Sequence, residues 1–256
     1  ALVTGAGQRI GAAMALYLAG RGFDVAVHYA SSAEGAEQVV RDVESLGRKA
    51  VALQADLLAD DATSDLFDQA TSALGGPITC LINNASIFEY DTVQTATRAS
   101  WDRHMGSNLR APFVLTQAMA AQGLAPGEDA NGEAISAGLI VNMIDQRVRK
   151  LTPEFMTYTL SKMGLWALTQ TASRALAPVI RVNAIGPGPT LQGERQSAAH
   201  FAAQRAATIL ERGANSADIT AALGYFLDAP AVTGQLLCVD GGQHLGWQTP
   251  DILGVE

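Results

Sequence analysis

Two residues able to exchange protons stand four apart in the segment YTLSK: Tyr158 and Lys162. On a helix they share one face. A tyrosine hydroxyl titrates near ~10, too high to exchange protons readily at neutral pH. An ammonium close by favours the phenolate and is expected to lower that value. Tyr158 can then give a proton to one atom of a double bond while a hydride arrives at the other. Asp145 lies thirteen residues earlier, just past the apolar run GLIVNM. Asn108 sits within WDRHMGSNLRAPFVLTQAMA, read as one helix, where its neighbours suggest an inward-facing polar group. There it would order a water that returns protons through Lys162. A tyrosine and a lysine at this spacing often arise by chance, so the elements that must position them decide the matter.

Seven short apolar runs read as strands: 1–4, 24–29, 49–54, 78–83, 138–143, 180–185 and 235–240. They are nearly continuous in apolar residues, as expected for parallel strands covered on both faces. Helical patterns lie between them. SAEGAEQVVRDVESLG runs from a serine to a glycine, DDATSDLFDQATSALGG from an aspartate to a glycine, and SADITAALGYFLDAP from a serine cap to a stopping proline. This alternation predicts an α/β fold, a doubly wound parallel seven-stranded sheet with helices on both faces. No repeat or linker divides residues 1–256, which are expected to form one domain. Residues 124–138 read as a surface excursion. Residues 187–215 follow a Gly-Pro-Gly-Pro turn, are poorly patterned, and are expected to form a movable lid over substrate. Asp145 thus falls at the carboxyl end of a parallel strand, where open α/β sheets build their sites.

The first strand runs into TGAGQRIG and then a helix. A glycine turn in this context cradles a pyrophosphate with backbone N–H groups and a helix N-terminus. Gly5, Gly7, Arg9, Ile10 and Gly11 are the candidate contacts. A dinucleotide site that takes NAD normally carries an acid at the end of the second strand. Here that strand ends HYASS, with Asp24 at its wrong end and Glu34 too far into the next helix. Missing the acid, the site lacks a repulsion against a 2′-phosphate, and Ser31, Ser32 and Arg9 could supply donors. NADPH is therefore favoured over NAD, with His28 and Tyr29 beside it. The two serines could equally cap the next helix. Lys162 could also grip the nicotinamide ribose.

These motifs together resemble the short-chain dehydrogenase/reductase family along the whole chain: TGAGQRIG, ADL (55–57), NNAS (83–86), SNLRAPF, YTLSK and RVNAIGPGPT. The resemblance implies a Rossmann fold and an enzyme. It implies that Asp56 and Leu57 lie against adenine, and that Asn84, Ala85 and Ser86 line the cofactor. It also implies that Pro187 and Gly188 begin a segment closing over nicotinamide. Within the family, Arg9 in the glycine loop, Asp145 in place of a serine, and Phe88 after Asn-Ala-Ser resemble the pteridine reductase branch. That likeness implies a pterin ring between Phe88 and the nicotinamide, with Ser86, Arg9, Asp145 and Tyr158 also contacting substrate. Reducing a pterin adds hydride to a C=N carbon and a proton to nitrogen. A carboxylate can accept from ring N–H or amino groups, or deliver a proton if it holds one, whereas a serine suits a carbonyl oxygen. An aromatic platform adds roughly 0.5–1.5 kcal/mol for a planar ring beyond area burial. One departure stands out: the branch's arginine after the second strand is Ser31 here.

Other classes fit less well. A net charge of −8 argues against nucleic acid. No apolar run approaches the ~20 residues of a membrane span. No signal peptide is read, although Ala1 already sits in a strand, which leaves room for preceding residues. Cys80 and Cys238 read as reduced thiols of a cytoplasmic protein. His28, His104, His200 and His244 are scattered, so no metal site is expected. The basic run QRVRK (146–150) reads as a solvated loop or as a contact for an acidic substrate tail. A generic NADP-dependent carbonyl reductase or alcohol dehydrogenase stays open as the alternative, and a non-catalytic NADP-binding sensor is disfavoured by the intact Asn108, Tyr158 and Lys162. The family likeness implies a homotetramer.

Overall fold

The computed structural model describes residues 1–193 and 196–249. Its main sheet holds seven strands: β1 (Leu2–Val3), β2 (Val25–Tyr29), β3 (Ala50–Gln54), β4 (Cys80–Asn83), β7 (Gly138–Met143), β8 (Ile180–Pro187) and β9 (Leu236–Val239). The remaining two, β5 (Gly127–Glu128) and β6 (Ala134–Ile135), form a small antiparallel hairpin inside the expected surface excursion. The main sheet is parallel throughout, in the order β3-β2-β1-β4-β7-β8-β9.

Side chains alternate along each strand, and this sorts the core into two layers. Leu2, Leu81, Ile140 and Val182 pack on one face with Leu66 and Phe67 of α3 (Asp60–Leu74) and with Leu115 and Met119 of α5 (Ala111–Ala121). Val3, Val27, Ile82 and Val141 pack on the other. There they meet α1 (Arg9–Gly20), α2 (Ala33–Ser45) and α8 (Ser216–Asp228) through Met14, Leu18, Val39, Val43 and Phe226. The strand order reverses between β1 and β4, and the carboxyl ends there open a crevice, as in other doubly wound sheets.

Three local expectations change. The cap of α8 is Asn215, in a capping box with Asp218, and Ser216 is already helical. Helix α3 starts after Ala59, which makes no side-chain cap, so its opening aspartates lie in the first turn instead. The segment read as one helix around Asn108 is α4 (Arg98–Met105), a π-helical turn (Gly106–Arg110) and α5. Within 187–215, residues 194 and 195 lie outside the described residues; the rest includes α7 (Ala198–Ala206). No helix among the described residues is long and apolar enough to cross a membrane.

Candidate functional site

The crevice between β1 and β4 is a cleft of about 620 Å³. Its floor is a set of hydrogen bonds between the β1–α1 loop and its neighbours. The Thr4 hydroxyl accepts from the Asn84 and Ala85 N–H groups at 2.9 and 3.0 Å, and the Asn84 amide donates to the carbonyls of Thr4 and Gly5. His28 is buried, and both ring nitrogens are occupied: Nδ1 accepts from Gly5 N–H at 3.0 Å and Nε2 donates to the Ala55 carbonyl at 3.1 Å. Burial also holds its pKa below the ordinary value, so the ring is neutral. His28 therefore fixes the loop, in addition to lining the cleft.

Gly11 is where the loop turns into α1. A Cβ there would lie 2.2 Å from the Gly5 carbonyl oxygen and 2.6 Å from the Asn84 amide nitrogen, so no side chain is tolerated where the loop folds on itself. Gly7 does not line the cleft; a Cβ there would meet the Ser32 hydroxyl at 2.4 Å, so its smallness serves the packing of the loop on α2. Gly5, Ile10, Gly11, Tyr29, Ser31 and Ser32 line the cleft, as do Asp56, Leu57, Asn84, Ala85 and Ser86. Ser32 occupies the N-cap position of α2 without making a side-chain cap bond, which leaves its hydroxyl available to a ligand. Sequence reasoning missed Gln8, Leu58, Ile87, Arg103 and Ser107 in this wall. The last two come from α4 and the π turn, and only the helix phase could have placed them.

Arg9 takes a left-handed backbone conformation (φ 55°), one that favours glycine. Its guanidinium crosses the cleft mouth and donates to the carbonyls of Gln192 and Leu191 at 3.0 and 3.2 Å. Pro187 and Gly188 do not line the cleft; Gly188 packs against Asp240, where a Cβ would meet the aspartate Cβ at 2.6 Å.

Helix α6 (Met156–Ala175) brings Tyr158 and Lys162 to the end of β7. Tyr158 is buried and donates its hydroxyl hydrogen to Asp145 Oδ2 at 2.9 Å. Asp145 Oδ1 accepts the Arg147 N–H at 2.7 Å and so caps the short turn Gln146–Val148. Lys162 is 2% exposed, and its ammonium donates to the Met143 carbonyl at 2.8 Å. It lies 5.7 Å from the centre of the Tyr158 ring.

These contacts reverse the expected effect on the tyrosine. Burial, then the negative charge of Asp145 and the hydrogen bond to it, push Tyr158 well above its ordinary value; Arg147 and the Ser86 hydroxyl oppose them. Lys162 is directed to Met143 instead of the hydroxyl. Tyr158 is thus held as a phenol, a loaded proton donor. Burial raises Asp145 above the ordinary carboxylate value, against the Arg147 N–H, the Tyr158 hydroxyl and the charges of Arg147 and Lys162. Burial lowers Lys162 to about 8, with Asp145 opposing.

Asn108 is fully buried in the π turn. Its Oδ1 accepts from Ile87 N–H at 2.8 Å, and its Nδ2 donates to the Ile87 carbonyl and the Ser161 hydroxyl at 2.9 and 3.1 Å. The side chain was expected to order a water toward Lys162. It is bonded to the β4–α4 loop and to α6.

Phe88, on that loop, is 45% exposed and forms the wall beside the tyrosine. Its ring centre is 4.6 Å from that of Tyr158, edge to face, and it stacks on Phe155 at 4.4 Å. The Arg147 guanidinium covers Phe155 at 5.0 Å from the ring centre, so one member of the basic run is folded onto the site. Phe155 was not foreseen; it sits at the N-cap of α6 with φ 56°, and nothing in its sequence neighbourhood marks it.

A phosphate cleft, a helix-borne tyrosine–lysine pair and a parallel seven-stranded sheet define a dinucleotide-dependent oxidoreductase. The profile of the short chain dehydrogenase family matches residues 1–201, and the chain belongs to that family. It is 30% identical over 250 residues to 3-oxoacyl-[acyl-carrier-protein] reductase FabG of Staphylococcus epidermidis, covering 96% of this chain and 98% of that protein. The structure of FolM alternative dihydrofolate reductase 1 from Brucella suis, in complex with NADP, matches with a TM-score of 0.90 and 43% identity, covering 98% of this chain and 97% of that one. A short chain dehydrogenase from Burkholderia cenocepacia, also in complex with NADP, matches with a TM-score of 0.83 and 33% identity over 94% of this chain and 96% of that one.

Proposed function

We propose that the protein is an NADPH-dependent reductase of a pterin or dihydropterin ring. The observation that carries this reading is the Tyr158–Asp145 hydrogen bond at 2.9 Å, set beside the Phe88 ring. It places a proton donor and a carboxylate acceptor together, the pair that a ring with adjacent C=N and N–H groups requires. The likeness to FolM alternative dihydrofolate reductase 1 supports the same substrate class.

The residues present fit the cofactor: Ser31 and Ser32 line the cleft at the end of β2, where they would donate to a 2′-phosphate, and the end of that strand carries no carboxylate to repel it. When bound there, NADPH supplies a hydride. The Tyr158 hydroxyl gives its proton to the ring nitrogen as the C=N bond becomes C–H and N–H. Asp145 then accepts from the ring's polar edge, and the Lys162 ammonium, with its pKa near 8, is the local proton reserve. Phe88, already stacked on Phe155, forms the aromatic wall beside Tyr158 against which a planar ring would pack.

The remaining parts of the reading are a lid formed within 187–215 and a cytoplasmic homotetramer. The exposed Trp101, Phe113, Leu160 and Met163 on α4, α5 and α6 support an association between copies. The likeness to a 3-oxoacyl reductase keeps a carbonyl substrate as the competitor. The test is NADPH consumption by the purified protein with a dihydropterin, a β-ketoester and a quinone. Turnover of the dihydropterin, abolished by Tyr158→Phe, is the expected result. Ketone turnover with none on any pterin overturns the assignment.

A further inference from the structure

Helix α4 buries one side chain completely, and it is a histidine. His104 Nε2 accepts from the Glu89 N–H at 3.1 Å, so the ring hydrogen is on Nδ1, which donates to the Thr157 hydroxyl at 2.7 Å. The Thr157 hydroxyl donates in turn to Asp91 Oδ2, and the Ser100 hydroxyl donates to the same oxygen at 3.2 Å. Asp91 Oδ1 accepts from the Thr157 N–H at 3.1 Å, and the Asp91 carbonyl accepts from the Met156 N–H at 3.3 Å. These are the first N–H groups of α6, which its own N-cap residue, Phe155, does not satisfy by a side-chain bond. The helix carrying Tyr158 is therefore capped by a residue 66 positions earlier in the chain.

The same contacts bracket Phe88. Asn108 holds the backbone of Ile87 on one side, and His104 holds the N–H of Glu89 on the other. The His104 ring also lies 6.0 Å from that of Tyr158, edge to face. One side chain thus touches, by separate atoms, the loop of the aromatic wall and the residue preceding the proton donor.

We propose that His104 is a positioning residue, a clamp that sets the Phe88 wall against Tyr158 by joining the Glu89 backbone to Thr157. It acts through these neighbours and touches neither cofactor nor reacting atoms. The inference rests on the reading of Phe88 as a substrate wall. It requires the neutral ring, because protonation would put a hydrogen on Nε2 and remove the acceptor for Glu89. Burial lowers the His104 pKa; the carboxylates of Asp91 and Glu89 and the Ser100 backbone raise it, and Arg103 lowers it.

The two halves of the clamp can be separated. His104→Asn keeps a donor near the Nδ1 position for Thr157 and loses the acceptor for Glu89. His104→Gln places an oxygen near the Nε2 position and keeps that acceptor. Amide hydrogen exchange of the segment 86–91, followed without substrate, and steady-state kinetics with a dihydropterin and with a β-ketoester provide two readouts. In the unmodified protein the Glu89 amide is expected to exchange at least ~100-fold slower than in an unstructured chain. His104→Asn is expected to speed exchange in 86–91 and to raise the substrate KM about tenfold while the NADPH KM holds within about twofold; His104→Gln, which keeps the Glu89 acceptor but loses the donor to Thr157, is expected to keep exchange slow and to raise the substrate KM less.

Free exchange of the Glu89 amide overturns the inference, as does His104→Asn leaving exchange and KM unchanged. Equal damage by both variants, or substrate and NADPH KM rising together, overturns it as well. Failure of the pterin reading appears separately, as no dihydropterin turnover by the unmodified protein, and leaves the exchange measurement to decide the clamp.

Discussion

Asp145→Asn separates the charge of the carboxylate from its shape. The variant keeps an oxygen for the Arg147 N–H at the 2.7 Å position, so the cap of the Gln146–Val148 turn survives. At the other oxygen it sets an amide NH2, which cannot accept from the Tyr158 hydroxyl, where the native bond is 2.9 Å long, and donates to the phenol oxygen instead. What is lost is the acceptor on that side. A hydrogen bond to a charged group contributes about 1.5–3 kcal/mol. If Asp145 also accepts from the substrate ring, losing that acceptor should lower kcat/KM for a dihydropterin by about 10- to 150-fold, since each 1.4 kcal/mol is a factor of ten. A ketone has no N–H edge to donate, so its kcat/KM should change by less than about threefold. The melting temperature should stay within about 2–4 °C, the shift that 1 kcal/mol produces in a chain of this size. The assay is NADPH consumption with both substrates, alongside thermal melting. A dihydropterin kcat/KM within about threefold of the unmodified protein would refute the role given to Asp145. So would equal losses on both substrates.

Two further outcomes follow from the geometry. Lys162, lowered to about 8 by burial, carries its proton below that value and loses it above, so kcat for reduction should fall as pH rises through about 8. Lys162→Arg, whose guanidinium does not titrate in that range, should be slower and lack the limb; a flat profile for the unmodified protein between about pH 7 and 9 contradicts the assignment. Thr4→Val should destabilise by about 1–3 kcal/mol in urea unfolding, because the N–H groups of Asn84 and Ala85 both lose the acceptor that the buried hydroxyl provides. A loss under about 0.5 kcal/mol would show that water replaces it.

All seven strands of the main sheet were legible because a parallel strand covered on both faces has an unbroken apolar sequence, and β4 and β7 are buried end to end. The proton-transfer group was legible for a different reason. Tyr158 and Lys162 share a helix face, and Asp145 follows the strand that ends beside them. What escaped notice depends on partners far apart in the chain. The bonds of Asn108 to Ile87 and Ser161 span 21 and 53 residues, and no periodicity encodes them. His104 read as a scattered histidine until its helix phase turned it inward. The tyrosine's environment was misjudged because spacing places the lysine on the same face without stating which oxygen its ammonium meets. That oxygen belongs to Met143.

The π turn at Gly106–Arg110 joins α4 to α5 without turning the buried face aside. His104, Asn108, Ala111, Leu115 and Met119 follow at steps of four, three, four and four residues, so one inward stripe runs through the join. The stripe changes chemistry along its length. Its first two members are polar and hold the backbone of the loop around Phe88, and its last two are apolar and cover the sheet. The segment is thus one continuous spine, and the same inward periodicity that builds the core at one end delivers the site's polar braces at the other.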